Sequence, residues 1–123
     1  MPAINDHMKI LELEDRHVLH YKGQKDDRTW TGEQKIDLNH FFGDTNGFFD
    51  AWKGGYADKS KEEAVEPEYE SEIHFAEPKL KAKMLEDDGT TWRERQGIFL
   101  YKYFNLKDGT LDYKGPIKPP PPP

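Results

Sequence analysis

The chain has no cysteine. A disulfide framework and a thiolate metal site are both excluded, and the composition is compatible with a reducing compartment. No apolar run approaches the ~20 residues of a membrane span. The start, Met-Pro-Ala-Ile-Asn-Asp-His, lacks a basic stretch followed by an apolar one, so no secretory leader is readable. The cytosol is the expected location, with no membrane partner. Positive charge is short too: the net charge is −6 at pH 7 and no basic stripe offsets it. Nucleic acid is therefore not an expected partner, because phosphate binding draws on an excess of Lys and Arg. Apolar residues reach only 34%, so three Trp, six Tyr and seven Phe must carry most of the buriable area. A chain of 123 residues allows one domain with a single modest core.

Catalytic signatures are also missing. There is no Gly-x-Ser-x-Gly elbow, no phosphate-cradling glycine loop and no His-Glu-x-x-His helix. Carboxylate pairs such as Asp26-Asp27, Glu62-Glu63 and Asp87-Asp88 are the background of an acidic chain. Nothing marks two of them at the separation a glycosidase needs. His17 and His20 are three apart, and on a strand that spacing points them to opposite faces. No enzymatic activity, metal or cofactor is expected.

What is present is a duplication. Shifting the sequence by 62 residues lays Thr29-Trp30 on Thr91-Trp92, Gln34 on Gln96, Ile36 on Ile98, Leu38 on Leu100 and Phe42 on Phe104. Asn46-Gly47 falls on Asp108-Gly109, and Asp50 on Asp112. One offset that keeps apolar, aromatic and turn residues in phase marks an internal repeat of about forty residues. Asn-Gly and Asp-Gly between apolar runs are hairpin signals, because a two-residue turn of the right twist needs positive φ. The flanking Trp, Thr, Ile, Phe and Tyr suit a pleated, half-buried surface. A unit this small cannot bury both faces alone, whereas two facing copies can.

The charged stretch 58–71 lacks periodicity and contains Pro67, so it is expected to be a mobile acidic loop inserted between the repeats. Repeat one then covers about 9–56 and repeat two about 72–114. The chain ends in five prolines, and 115–123 form a proline-rich tail of polyproline II type.

Each unit reads apolar strand, polar loop, aromatic residue, Ile-x-Leu, two aromatics and a turn closed by an apolar pair. In the first copy these are Val18-Leu19, Asp26-Asp27, Trp30, Ile36-Asp37-Leu38, Asp44-Thr45-Asn46-Gly47 and Phe48-Phe49. In the second they are Leu80, Asp87-Asp88-Gly89, Trp92, Ile98-Phe99-Leu100, Asn105-Leu106-Lys107-Asp108-Gly109 and Thr110-Leu111. This order resembles the cyanovirin-N homology family of small lectins, in particular its cysteine-free filamentous-fungal members. The resemblance covers roughly residues 8–114. It implies an all-β fold of two tandem repeats, each a three-stranded sheet plus a hairpin, intertwined about a pseudo-two-fold axis within one domain spanning 1–114.

The resemblance also implies glycan pockets that join the hairpin loop of one unit to the turn of the other. The middle pocket would use Gly43, Asp44, Asn46, Gly55 and Tyr56 with Glu86, Asp87 and Gly89. The terminal pocket would use Gln24, Asp26, Lys107 and Asp108, with residues 5–7 alongside. Leu106 stands where the family's turn carries Asn, which removes an amide and favours the middle pocket. The implied ligands are oligomannose glycans with α1,2-linked mannose. A monomer is expected, with a strand-exchanged dimer as the alternative state. The rival reading keeps the fold but makes the chain a protein-interaction module, working through the acidic stretch 58–71 and the proline tail.

Overall fold

The computed structural model describes residues 7–51, 54–70 and 75–114. Among the described residues, ten strands make two three-stranded sheets and two hairpins. The first sheet has β1 (Met8–Glu14), β2 (Val18–Gly23) and β3 (Gln34–Asp37) in sequential antiparallel order. It is followed by a hairpin of β4 (Gly43–Thr45) and β5 (Phe48–Asp50). The second unit repeats the plan with β6 (Ser60–Glu70), β7 (Phe75–Met84) and β8 (Gln96–Phe99), then a hairpin of β9 (Phe104–Lys107) and β10 (Thr110–Tyr113). Short 3₁₀ turns link sheet to hairpin at Leu38–His40 and Leu100–Lys102. Asp37 starts the first of these by accepting from the Asn39 N–H at 3.0 Å.

Period-two burial sets the inner face of each sheet. Leu19 and Tyr21 point inward from β2, and Leu80, Ala82 and Met84 from β7. Leu38, Phe42, Leu100, Phe104 and Leu111 arrive from the turns and hairpins and complete one shared core. The repeat extends to surface detail. Lys9 Nζ lies 4.4 Å from the centre of the Trp30 ring, and Lys61 Nζ lies 4.3 Å from that of Trp92.

The hairpins are exchanged between the units. Gln96 Nε2 in the second unit donates to Gly47 O of the first at 2.6 Å. Gln34 Nε2 in the first unit donates to Gly109 O of the second at 2.8 Å. Each hairpin therefore docks on the other unit's sheet, and the two repeats form one intertwined body.

The stretch 58–71, expected to be a mobile loop, is a correction. A 3₁₀ turn covers Tyr56–Lys59, and Ser60–Glu70 is strand β6, paired with β7 along its length. Its charges read as unpatterned because their partners lie across the hairpin. Lys81 Nζ sits 3.1 Å from Glu66 and 2.5 Å from Glu68, Lys83 Nζ lies 3.0 Å from Glu62, and Lys79 also pairs with Glu68. Opposite charges facing each other support a ladder that no apolar alternation announces. The register also relocates the extra length. Met8 faces Gly23 and Ser60 faces Met84, so β6 is the counterpart of β1 and belongs to the second unit. Three residues, 15–17, join Glu14 to Val18, whereas twelve, 67–78, join the equivalent Glu66 and Lys79. The second unit is thus lengthened at the tip of its first hairpin, not between the repeats. The proline tail lies outside the described residues.

Candidate functional site

Two quasi-equivalent polar clusters form where a hairpin turn of one unit meets a loop of the other. In the middle cluster the turn between β4 and β5 has Asn46 at φ 48° and Gly47 at φ 87°. Two successive positive φ values define the tight turn that Asn-Gly favours. Asp44 Oδ1 accepts from the Gly47 N–H at 2.6 Å and holds the turn shut. Asn46 Oδ1 accepts from the Asp87 N–H at 3.0 Å, which fixes the turn against loop 86–91. Arg93 Nε donates to Asn46 O at 3.0 Å, and its guanidinium lies 4.0 Å from the centre of the exposed Phe48 ring. Gln96 closes the back, accepting from the Phe49 N–H at 3.3 Å while it donates to Gly47 O.

The structure brings together Gly43, Asp44 and Asn46 on one side and Glu86, Asp87 and Gly89 on the other. Gly89 has φ 75°, and its N–H donates to Glu86 O at 3.0 Å, so the loop curls back on itself. Gly55, also in the left-handed region at φ 90°, starts the 3₁₀ turn over Tyr56–Lys59. Tyr56 does not present its ring to this surface. It is fully buried, its hydroxyl donates to Arg16 O at 2.8 Å, and burial pushes its phenol well above the ordinary value. The Asn39 side chain, unremarked in the sequence, positions this turn by accepting from the Ala57 N–H at 2.9 Å.

One atom in the middle cluster stands apart. Asp44 Oδ2 is enclosed and has no hydrogen-bond partner among the described residues. Buried acceptors are normally satisfied, and an exception calls for an explanation such as a bound ligand or water.

The terminal cluster uses the same frame with different tips. Asp108 at φ 47° and Gly109 at φ 86° make the turn, and Asp108 Oδ1 accepts from the Asp26 N–H at 2.9 Å. Gln24 lies beside it but is occupied. Its Oε1 accepts from His7 Nδ1 at 2.6 Å, and its Nε2 donates to Arg28 O at 3.1 Å. His7 therefore does lie alongside, while Asn5 and Asp6 fall outside the described residues. Lys107 is exposed. Leu106, the counterpart of Asp44, is half-buried against the core and offers no polar atom from its side chain. Thr31 takes the place of Arg93, with Gln34 donating to it at 3.0 Å.

Both loops are stiffened by an aspartate. Asp27 accepts from the Thr29 N–H at 2.9 Å and from the Thr29 hydroxyl at 2.5 Å. Asp88 accepts from the Thr90 and Thr91 N–H groups at 2.9 and 2.8 Å, and from the Thr91 hydroxyl. These donors, the Thr91 hydroxyl first, hold the Asp88 carboxyl down at about 2. A carboxylate held below its ordinary value stabilises the fold above that value, and the contribution is lost as pH falls toward 2. A carboxyl-carbon NMR titration is expected to give Asp88 a midpoint near 2, with loop 86–91 loosening together with it. A midpoint near the ordinary 3.8 would show that the threonine donors do not hold it.

A family model described as CVNH domain matches residues 6–112. No curated protein matches the chain. Among solved structures the chain is similar to the CVNH of Gibberella zeae at 20% identity, with a TM-score of 0.72 over 89% of this chain and 95% of that one. It is similar to the CVNH of T. borchii at 23% identity, with a TM-score of 0.69 over 92% of this chain and all of the other. The structure of microvirin in complex with mannobiose is 16% identical, with a TM-score of 0.70 over 93% of this chain and all of that one.

Proposed function

The chain belongs to the CVNH domain family, and from that membership we propose that it is a lectin for mannose-containing oligosaccharides with its working site in the middle cluster. The carrying observation is Asp44. Its Oδ2 is an enclosed acceptor with no donor among the described residues. A buried group in that state costs about 1–3 kcal/mol, which an incoming hydroxyl would offset. Glu86 and Asp87 lie on the loop that the Asp87 N–H ties to Asn46, where they offer further acceptors for vicinal hydroxyls, and the glycines let backbone approach the ligand closely. Microvirin, whose fold this chain shares, has been captured with mannobiose, which supports a mannose disaccharide as the recognised unit.

The same argument ranks the two clusters. At the terminal cluster Leu106 replaces Asp44, and both ends of the Gln24 amide already have partners. One sugar per chain is therefore the expected stoichiometry, with α1,2-linked mannobiose preferred over its other linkages. Calorimetric titration of the full chain with the linkage isomers tests this. Saturable binding of one disaccharide supports the reading. Absence of heat and of competition at millimolar sugar removes it.

A further inference from the structure

On the outer face of the first sheet an imidazole sits among three carboxylates. His20 lies in the central strand β2, on the face opposite Leu19 and Tyr21. A bulge between Ile10 and Glu12 shifts the β1–β2 register and sets Glu12 directly across from His20, with Glu14 one diagonal step away. Glu33 reaches the ring from the β3 side. Although it is on the outer face, His20 is only 5% exposed, because these side chains cover it.

We propose that Glu12, Glu14 and His20 form a binding site for a divalent transition-metal ion of the zinc type. His20 Nε2 lies 2.6 Å from Glu14 Oε1 and 3.5 Å from Glu12 Oε1. The three donor atoms fall within 4.8 Å of one another. Ligand atoms around a tetrahedral zinc stand about 3.3 Å apart, so small side-chain shifts admit the ion. The other ring nitrogen is already fixed: Nδ1 donates to Glu33 Oε2 at 3.0 Å. A carboxylate on the far nitrogen of a metal-bound histidine is the usual outer-shell arrangement, and it sets both ring orientation and tautomer. The carboxylates of Glu12 and Glu14 are exposed, which leaves an entry path and room for a water as the fourth ligand. The ion takes the place of the proton that Nε2 shares with Glu14, and that proton leaves to solvent.

The second unit supplies an internal comparison. At the position equivalent to His20 it carries Lys81, whose ammonium bridges Glu66 at 3.1 Å and Glu68 at 2.5 Å. Ala64 faces it where the first unit has Glu12. A fixed ammonium thus satisfies the requirement of the fold for a cation among carboxylates on this face. The first unit instead places a nitrogen that can ligate a metal and adds a carboxylate. With Lys35 beside the ring on β3, three carboxylates and two cations leave this cluster negative, and a divalent ion in place of one proton neutralises it.

The test is a titration of the isotope-labelled full chain with zinc chloride, followed by calorimetry and by the imidazole nitrogen resonances. One saturable ion per chain is expected, with the His20 Nε2 resonance displaced and Nδ1 still protonated. Glu12→Gln and Glu14→Gln should each weaken binding at least tenfold, and Glu33→Gln by ~10–100-fold. Glu12 is the most exposed of the group, so Glu12→Gln keeps the fold testable even if substitutions at His20 do not. The proposal is overturned by no saturable uptake, by uptake that Glu12→Gln leaves unchanged, or by shifts at His7, His17, His40 or His74 instead of His20.

Discussion

Gly23→Val is expected to destabilise the domain more than any other single substitution considered. Gly23 ends β2 where the hairpin of the other unit crosses, and a Cβ there would sit 1.8 Å from Gly109 O. The obstacle is backbone, so no rotamer change relieves it. The neighbouring chain is equally fixed: the Gly23 N–H donates to Thr31 Oγ1 at 3.0 Å, and Gly23 O accepts from the Thr31 N–H at 2.8 Å. A valine must push β9–β10 off the first sheet, which uncovers Leu111 and frees its N–H from the Tyr21 hydroxyl, 3.0 Å away. Overpacking at a site that cannot yield costs about 3 kcal/mol or more. A domain of this size has about 5–15 kcal/mol in total. Urea denaturation monitored by tryptophan fluorescence is expected to show a midpoint lowered by more than half. A midpoint within error of the parent would mean that the hairpin docks elsewhere in solution. Gly32→Ala, where an added methyl meets nothing within 4 Å, is the matched control and should be close to neutral.

The second large effect concerns binding. Replacing Glu86 and Asp87 together by alanine is expected to lower sugar affinity by ~10² or more, since each hydrogen bond to a charged group contributes about 1.5–3 kcal/mol. The scaffold survives, because this segment is held mainly by backbone, with one 4.0 Å ion pair from Glu86 to Arg93 besides. The Asp87 N–H reaches Asn46, and the Glu86 N–H donates to Thr91 O at 2.8 Å. A control pair at the terminal cluster, Asp26→Ala with Lys107→Ala, should change affinity less than twofold if the middle cluster alone binds. Equal losses from both pairs would instead mean two working sites, and no loss from either would point away from these loops altogether.

The duplication was the most legible feature of the sequence, and it carried most of the fold. Trp30 and Trp92, Gln34 and Gln96, and the Asn46-Gly47 and Asp108-Gly109 turns occupy equivalent places in the two units. Local chemistry fixes those positions, so a linear reading reaches them. Strand β6 leaves no local signal, because its stabilisation comes from across the hairpin. Glu66 and Glu68 look like solvated charge until Lys79 and Lys81 are set opposite them, and only the register does that. Which segments meet in each cluster follows from the family resemblance, whereas the burial of Tyr56 and the contacts of Arg93 follow from packing. In the linear sequence His20 has His17 as its nearest histidine. Its actual neighbours are Glu12, Glu14 and Glu33, and the bulge that delivers Glu12 leaves no mark in the residue pattern.

The most direct test of the lectin assignment is an amide-resolved NMR titration of the full chain with α1,2-linked mannobiose. Saturating shifts are expected at residues 43–47 and 86–89, with Arg93 and Phe48 following and residues 24–29 and 105–109 unmoved. Shifts confined to 24–29 and 105–109, or no shift at millimolar disaccharide, would contradict it.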